Sequence, residues 1–259
     1  MFILKTFIFF ITFDIIFLTH ITYKPFNVFF SKHIVSFVIM CVYFYVNYAS
    51  LNFTIYNLFR KIEGKNMKNI LIIGVARTGK TTLSKMVKQK YNEYNLIHSD
   101  SIIWGIIRGE GKEEYYTKNI EKRKEYVHSE MMQNILIETF KSLIKADNEK
   151  YGIIFETGQL EPKYLSELLK NESVYCICLG HGDLDEHQIK ELCRKHDTET
   201  DWTSKMNDEQ LEINCKKWAE KNIILKDQCK KYNIEYFDTS KNRREVLENI
   251  LNKIVKENS

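Results

Sequence analysis

The pattern of hydrophobic and polar positions changes sharply near residue 66. Residues 1–59 are almost wholly apolar and carry only four charged side chains, Lys5, Asp14, Lys24 and Lys32. Residues 67–259 instead show short apolar runs separated by longer segments with helical spacing. We therefore expect two parts, a hydrophobic N-terminal extension over residues 1–66 and a globular domain over residues 67–259.

Five short apolar runs in the globular domain have the length and composition of buried parallel strands. They lie at residues 69–73, 95–98, 151–155, 174–179 and 234–237. Helical patterns separate the runs, as at residues 82–90. This alternation predicts an α/β domain with a parallel sheet, whose ligands bind at the carboxyl ends of the strands.

The extension has two interpretations. Residues 34–59 carry no charge and are long enough to cross a bilayer of about 30 Å, and the basic residues within 60–65 would leave the domain in the cytoplasm. In the other interpretation, residues 63–64 can be encoded by a purine-rich run that resembles a bacterial ribosome-binding sequence, two codons before Met67. We expect the functional chain to start at Met67, in the cytoplasm. A membrane-anchored domain is the alternative.

The distribution of charge bears on possible partners. Residues 1–66 hold six basic and two acidic side chains, so the formal net charge of +4 comes from the extension and the globular domain is neutral overall. A nucleic-acid-binding domain needs a clustered excess of Lys and Arg. We therefore expect no nucleic-acid partner.

Residues 74–81 (GVARTGKT) match the phosphate-binding pattern GxxxxGK[ST] and lie between a predicted strand and a predicted helix, as that loop requires. The backbone N–H groups would surround phosphates, Lys80 would reach the β- and γ-phosphates, and the Thr81 hydroxyl would bind Mg²⁺. We expect Arg77 to face solvent, with contact to phosphate as the alternative. The candidate cofactor-binding residues of the loop are Gly74, Val75, Ala76, Arg77, Thr78, Gly79, Lys80, Thr81 and Thr82.

Two carboxylates at strand ends are candidate catalytic residues beside Lys80. Asp100 follows the second strand, where it would contact substrate and accept a proton from an attacking hydroxyl; capping of the next helix is the alternative. Glu156 closes the third apolar run and would hold Mg²⁺, like Thr81, or orient the nucleophile; an exposed loop acid is the alternative. Arg108, near the end of the helix after Asp100, is a candidate for binding substrate.

A charged helix followed by a polar loop is predicted over residues 183–204. This segment could close over the phosphates, with Arg194 or Lys195 stabilising transferred charge. A solvated helical face explains its charges equally well. Thr239 and Ser240, in the turn after the fifth strand, are expected beside the nucleotide base.

Residues 109–150 have helical spacing and are dense in Lys and Glu, which predicts a solvated surface with buried apolar faces. Three histidines, His98, His128 and His181, show no spacing typical of metal ligands, and we interpret them as structural. The positions predicted to be buried in the helical stretch are Ile120, Met131, Ile135, Ile137, Phe140 and Leu143.

Residues 67–259 resemble small P-loop kinases of the nucleoside-monophosphate-kinase-like class, akin to uridine kinase, 2-phosphoglycerate kinase and zeta-toxin-type kinases. The resemblance implies the P-loop NTPase three-layer fold, with a five-stranded parallel sheet in order 2-3-1-4-5. It also implies ATP and Mg²⁺ as cofactors and phosphoryl transfer to a small-molecule acceptor. The stretches that carry it are GVARTGKTT, HSDSI, FETGQLEP and YFDTSKNRREVLENI.

Other P-loop classes fit less well. A GTPase is disfavoured because the chain has no NKxD motif, and an AAA-family motor is disfavoured by the chain length. The alternative from another class is an ATP-binding regulatory or NTPase module without a small-molecule phosphoacceptor, with or without a membrane tether. The acids at positions 100 and 156 favour the enzyme.

Overall fold

The computed structural model describes residues 67–146 and 151–257. The extension over residues 1–66, including the predicted membrane segment at 34–59, lies outside the described residues, so the division at residue 66 stays a prediction. The strands of the described part are β1 (Asn69–Gly74), β2 (Tyr94–His98), β3 (Gly152–Glu156), β4 (Val174–Gly180) and β5 (Glu235–Asp238). Its α-helices are α1 (Lys80–Lys90), α2 (Ser99–Gly109), α3 (Glu113–Lys118), α4 (Ile120–Val127), α5 (Glu130–Ala146), α6 (Glu186–His196), α7 (Asp208–Lys231) and α8 (Arg243–Glu257). None of these helices is both long enough and apolar enough to span a membrane.

The five strands form one parallel sheet in the order β2-β3-β1-β4-β5, which confirms the predicted order. The chain runs from β1 to the edge strand β2, returns through β3, and then crosses to β4 and β5 on the other side of β1. This change of direction opens a crevice at the carboxyl end of β1. Together with the GxxxxGK[ST] loop that follows β1, the strand order defines the P-loop NTPase fold.

The residues of β1 show why the domain has three layers. Leu71 and Ile73 pack on one face of the sheet with side chains of α2, α5 and α7, whereas Ile70 and Ile72 pack on the other face with α1 and α8. All four side chains are fully buried. A strand covered on both faces needs an unbroken apolar run of this kind, without polar alternation.

Two positions that we predicted to be buried lie on the surface. Ile120 is 50% exposed and Met131 is 49% exposed, whereas Phe140 is fully buried, as predicted. For Ile120 the reason is that the helical stretch is interrupted at Asn119 and again at residues 128–129, giving three separate helices whose faces point in different directions. Met131 lies in the same helix as Phe140, but nine positions separate them, so the two side chains are on opposite sides of α5.

Gly74 occupies a position that excludes any other residue. Its φ is +139°, and a Cβ built there would lie 2.0 Å from the backbone oxygen of Leu179. Gly74→Ala should therefore lower the free energy of unfolding by about 2 kcal/mol or more, because backbone strain and the clash add together. Urea unfolding monitored by circular dichroism measures the change.

Gly105→Ala is the matched control for this prediction. Gly105 lies inside α2, and an added Cβ there would meet nothing within 4 Å. This substitution should be neutral or should stabilise the protein by about 0.5–1 kcal/mol, since Ala favours the helix. Equal unfolding midpoints for the two variants would contradict the steric role of Gly74.

Candidate active site

The loop between β1 and α1 contains three residues with positive φ. Gly74, Arg77 and Gly79 have φ values of 139°, 63° and 92°. Gly79 is also the N-cap of α1 and makes no side-chain capping hydrogen bond. A backbone that alternates between left- and right-handed conformations turns its N–H groups inward and forms a nest for an anion. This loop, which ends at the helix N-terminus, has that geometry.

Hydrogen bonds to two backbone oxygens anchor the loop. The oxygen of Val75 accepts from the Thr78 hydroxyl at 2.8 Å and from Lys80 Nζ at 2.6 Å. The oxygen of Ala76 lies 2.9 Å from Nε2 of His181, which follows β4. Since a carbonyl only accepts hydrogen bonds, Nε2 of His181 carries the proton in this contact. The loop is thereby fixed both from within and from the neighbouring strand.

Lys80 is the buried cation of the site. Burial lowers the pKa of its ammonium group, and the negative charges of Glu156 and Asp100 oppose this shift. Its hydrogen bond goes to the neutral oxygen of Val75, which is a weaker acceptor than a charged phosphate oxygen. The ammonium of Lys80 is therefore available to an incoming anion.

Glu156 brings α1 and β2 together at the end of β3. One carboxylate oxygen accepts from the Thr81 hydroxyl at 2.7 Å, and the other accepts from the Ser84 hydroxyl at 3.3 Å and lies 2.8 Å from His98 Nδ1. His98 reaches it because His98 and Glu156 are paired in the register of β2 and β3. Glu156 is 9% exposed. It is therefore a buried acid of the site and not an exposed loop acid.

Asp100 lies in the first turn of α2 and not at its N-cap, which is His98. The capping alternative for Asp100 is therefore wrong. Its carboxylate oxygen Oδ1 accepts from Gln159 Nε2 at 3.0 Å. The oxygen of the Gln159 amide in turn accepts from three donors, the Ser99 hydroxyl at 2.8 Å, the Thr157 hydroxyl at 3.0 Å and the Gly158 N–H at 3.0 Å. These bonds fix the orientation of the amide, so Gln159 presents its NH₂ group to Asp100.

The expectation that Arg77 faces solvent is wrong. Its side chain is 17% exposed, and its guanidinium pairs with Asp197 and, at 2.5 Å, with Asp201. The Thr203 hydroxyl also donates to Asp197, and the Thr198 N–H donates to Asp201, both at 2.8 Å. The hydrogen bond from Arg77 holds the pKa of the Asp201 carboxyl well below its usual range. The polar loop after α6 is thereby joined to the phosphate-binding loop.

Thr239 and Ser240, both predicted beside the base, have different surroundings. Thr239 is buried, and its hydroxyl donates to the backbone oxygen of Gly180 at 3.0 Å. Ser240 lines a cavity of about 560 Å³ with His196 and Arg243. His196 and Arg243 also line a larger cavity at the phosphate-binding loop, so the two cavities are neighbours that share these two side chains.

The larger cavity has a volume of about 1050 Å³, and Lys80, Asp100 and Glu156 all line it. Side chains from α4 and α7 also line it. The other predicted loop residues that line it are Ala76, Arg77, Gly79, Thr81 and Thr82. Gly74, Val75 and Thr78 are buried residues that do not line it.

Two predicted site residues are not brought to this cavity. Arg194 donates to the Met206 oxygen and to Asp208, both at 2.9 Å, and Arg108 donates to Glu113 at 3.0 Å. Neither arginine lines the cavity. The positions of these two arginines therefore give no support to the predicted roles of Arg194 in charge stabilisation and of Arg108 in substrate binding.

Four side chains of the site were not identified from the sequence. They are His98, Gln159, His181 and Lys221, the last of which lines the cavity from α7. The first three end or closely follow β2, β3 and β4, where ligands gather in a parallel sheet. Position at a strand end was therefore a usable signal for these three. Lys221 lies within a long helix, where no such signal exists.

A magnesium ion fits this donor set only together with a phosphate ligand. No group of three or more His, Cys, Asp or Glu side chains suited to a metal ion occurs in the described part of the chain. The Thr81 hydroxyl and the Glu156 carboxylate nevertheless place two oxygen atoms 2.7 Å apart. Mg²⁺ prefers such oxygen donors and commonly takes only one or two from the protein, with water and substrate phosphates completing its coordination.

No protein-family model and no curated protein sequence matches the chain. Among solved structures, a gluconokinase from Sinorhizobium meliloti aligns at 14% identity and a TM-score of 0.47, covering 73% of this chain and 93% of that one. A shikimate kinase from Bacteroides thetaiotaomicron aligns at 17% identity and a TM-score of 0.43, covering 73% of this chain and 97% of that one. The assignment of the fold depends on the strand order and the loop, not on these matches.

His181 makes the stability of the domain depend on pH. Burial lowers its pKa from 6.5 to about 4, so the unfolded chain binds a proton between these values and the folded chain does not. The stabilisation that neutral His181 contributes is therefore fully present above pH 6.5 and is lost as the pH falls toward 4. For this residue alone, about 1–2 kcal/mol should be lost between pH 7 and pH 5.

Urea unfolding of His181→Gln at pH 7 and pH 5 measures that contribution. The variant should be less stable than the wild type at pH 7, and its stability should fall less between the two pH values. His187→Gln, which changes an exposed histidine of α6, serves as the control and should keep the wild-type pH dependence. An unchanged pH dependence in His181→Gln would rule out His181 as the titrating group.

Arg77 should hold the polar loop after α6 in place. In Arg77→Ala, hydrogen exchange of the backbone amides of Thr198, Asp201 and Ser204 should accelerate at least about tenfold, because two charged hydrogen bonds are lost. Mass spectrometry of residues 197–206 measures the exchange. Arg244→Ala, which removes a side chain that is 92% exposed, should leave these amides unchanged. Slow exchange retained in Arg77→Ala would show that the ion pairs do not order the loop.

Proposed function

We propose that this protein transfers the γ-phosphoryl group of ATP to a hydroxyl or phosphate group of a small molecule, with Mg²⁺ as cofactor. The observation that carries the proposal is the convergence of Lys80, Asp100 and Glu156 on one cavity. The loop and Lys80 suit the phosphates of a nucleotide, and Asp100 adds a proton acceptor in the same cavity. A module that only binds a nucleotide has no use for that acceptor.

Nucleotide phosphates would replace an internal partner of Lys80. The ammonium group donates to the Val75 oxygen at 2.6 Å, and a charged phosphate oxygen is a stronger acceptor. After the exchange the Val75 oxygen still accepts from the Thr78 hydroxyl. No buried backbone group is left without a partner, so the exchange carries little penalty. Lys80 then stabilises the charge on the transferred group.

Thr81 and Glu156 would hold Mg²⁺, directly or through water. When bound, the ion neutralises charge on the β- and γ-phosphate oxygens. His98 and Ser84 contact the Glu156 oxygen that does not face Thr81. They therefore keep the carboxylate oriented when the Thr81 hydroxyl turns away from it.

Asp100 is the proposed proton acceptor. Gln159 occupies one of its carboxylate oxygens, which leaves the other for the hydroxyl of the phosphoacceptor. Because the Gln159 amide is fixed by its own hydrogen bonds, the carboxylate is held at the edge of the cavity in one orientation. A positioned base of this kind contributes about 10²–10⁴ in rate.

The adenosine part of ATP is placed in the smaller cavity beside Ser240. That cavity adjoins the larger one, since His196 and Arg243 line both, and a nucleotide that passes these two side chains would reach from one into the other. Nε of Arg243 is buried and has no hydrogen-bond partner. Other atoms of this side chain line both cavities and would meet the ribose or the phosphate chain.

We further propose that the chain is a small P-loop kinase of the nucleoside-monophosphate-kinase-like class. Support comes from the stretches GVARTGKTT, HSDSI and FETGQLEP, which contain Lys80, Asp100 and Glu156. A cytoplasmic location stays a prediction, as does a membrane anchor at residues 34–59.

The reaction is tested with full-length protein, ATP, Mg²⁺ and a panel of nucleosides, nucleotides, sugars and hydroxy acids. Formation of ADP should depend on one class of acceptor, and chelation of Mg²⁺ or the substitution Lys80→Ala should abolish it. Hydrolysis of ATP without dependence on an acceptor would instead favour an NTPase. Binding of ATP without turnover would favour a regulatory module.

Asp100→Asn should lower kcat at least about 100-fold and leave the KM for ATP within about twofold. The amide has the size of the carboxylate but cannot accept the proton. Steady-state kinetics with the acceptor found in the panel measure both constants. Asp227→Asn, at an exposed position of α7 that does not line the cavity, is the control. Normal turnover in Asp100→Asn would remove this residue from the chemistry.

A further inference from the structure

The part of the larger cavity that α4 and α7 line carries three lysines that the proposed chemistry does not use. Lys124 comes from α4, and Lys217 and Lys221 come from α7. Lys217 and Lys221 are four residues apart, so they lie on the same side of α7, about one turn from each other. We call these three residues the lysine cluster.

Two members of the cluster share one carboxylate. Glu121 Oε1 accepts from Lys217 Nζ at 2.9 Å and from Lys124 Nζ at 3.3 Å. Burial and the nearby Lys217 ammonium lower the pKa of Lys124, whereas the hydrogen bond to Glu121 raises the pKa of Lys217. The two ammonium groups share the Glu121 carboxylate, and Glu220 adds a weaker negative influence on Lys217.

Lys221 adds a further positive charge. Its ammonium group donates to the backbone oxygen of Gly158 at 2.8 Å, and a carbonyl dipole does not neutralise an ion. Glu161 also acts on Lys221, but this carboxylate is paired with Lys163 at 2.9 Å. Burial, assisted by the Lys80 ammonium, lowers the pKa of Lys221 to about 8, so Lys221 is mostly charged at pH 7.

His128 lines the same part of the cavity. Burial and the positive charge of Lys221 lower its pKa to about 4. It is therefore neutral at pH 7 and offers a hydrogen bond without charge. The charge of this wall comes from the lysines.

We propose that the lysine cluster, Lys124, Lys217 and Lys221, binds a carboxylate or phosphate group of the phosphoacceptor. This inference rests on the proposed function and narrows the acceptor to molecules with a hydroxyl at one end and an anionic group at the other. Gly158 contacts Lys221 and the adjacent Gln159 contacts Asp100, so Lys221 and the proposed proton acceptor lie within reach of one small molecule. A neutral acceptor leaves the charges of the cluster without an added partner and binds more weakly.

Inorganic phosphate probes the cluster without turnover. Full-length protein is first saturated with Mg²⁺ and a non-hydrolysable ATP analogue, which fills the phosphate-binding loop. Phosphate is then titrated, and the change is followed by tryptophan fluorescence, because Trp218 lines the cavity. Lys217→Gln removes one charge of the cluster. The matched control Lys216→Gln removes an adjacent exposed charge that does not line the cavity.

The wild type and Lys216→Gln should bind phosphate with affinities within about twofold of each other. Lys217→Gln should bind at least about tenfold more weakly, as expected for loss of a charged hydrogen bond. Lys124→Gln should show the same loss. Equal affinities for Lys216→Gln and Lys217→Gln, or no binding of phosphate by the wild type, would overturn the inference.

The turnover of matched acceptors shows whether the lysine cluster binds a carboxylate or a phosphate group. Ribose, ribonate and ribose 5-phosphate differ in the group that would meet the cluster, which is neutral in ribose, a carboxylate in ribonate and a phosphate in ribose 5-phosphate. One of the two anionic acceptors should have a kcat/KM at least about 100-fold above that of ribose, as expected for two charged contacts. Lys217→Gln should raise the KM for that member and leave kcat unchanged. A preference for neutral acceptors would overturn the inference and leave the kinase intact. If no acceptor of any kind is phosphorylated, the proposed function fails. The phosphate titration still shows whether the lysine cluster binds an anion.

Discussion

The buried carboxylate of Glu156 is the interaction on which the geometry of the site depends. Side chains from α1 and β2 contact its two oxygens at the end of β3. Leaving such a group without its hydrogen-bond partners costs about 1–3 kcal/mol or more, so the three elements are held at a fixed spacing. Because the phosphate-binding loop runs directly into α1, the contacts of Thr81 and Ser84 with Glu156 also position the loop against the sheet. The carboxylate thus supports the loop and at the same time offers an oxygen to a metal ion.

Three cations of the cavity have internal partners. Lys80 donates to the Val75 oxygen, Arg77 pairs with Asp197 and Asp201, and Lys221 donates to the Gly158 oxygen. Ligand binding at these residues is therefore an exchange of partners, and its net free energy is the difference between two sets of hydrogen bonds. Replacement of a neutral carbonyl by a phosphate gains more than replacement of a carboxylate. Lys80 and Lys221 donate to neutral carbonyl oxygens, so they should bind an anion more readily than Arg77, which is paired with two carboxylates.

Most of the fold could be predicted from the sequence because the relevant signals are local. The apolar runs placed each strand to within one residue at either end, and the GxxxxGK[ST] pattern identified the loop after β1. Asp100 and Glu156 were found because they follow strands, and both line the cavity. The expected surroundings of Arg77 were wrong because its partners lie 120 and 124 residues further along the chain. No local pattern reports an ion pair between such distant segments.

The lysine cluster could not be predicted from the sequence, because the rotation of α7 decides which of its lysines face the cavity. Leu211, Cys215, Leu225 and Cys229 are the buried thiol and aliphatic side chains that fix the rotation of α7. With α7 seated on these residues, Lys217 and Lys221 face the cavity, whereas Lys216 lies outside it. The rotation of α7 could not be predicted from the sequence, because some of its apolar side chains are exposed and do not mark the buried face. Ile223 and Ile224, for example, are 63% and 56% exposed. Charge on a helix becomes informative about a ligand only after the buried face of that helix is known.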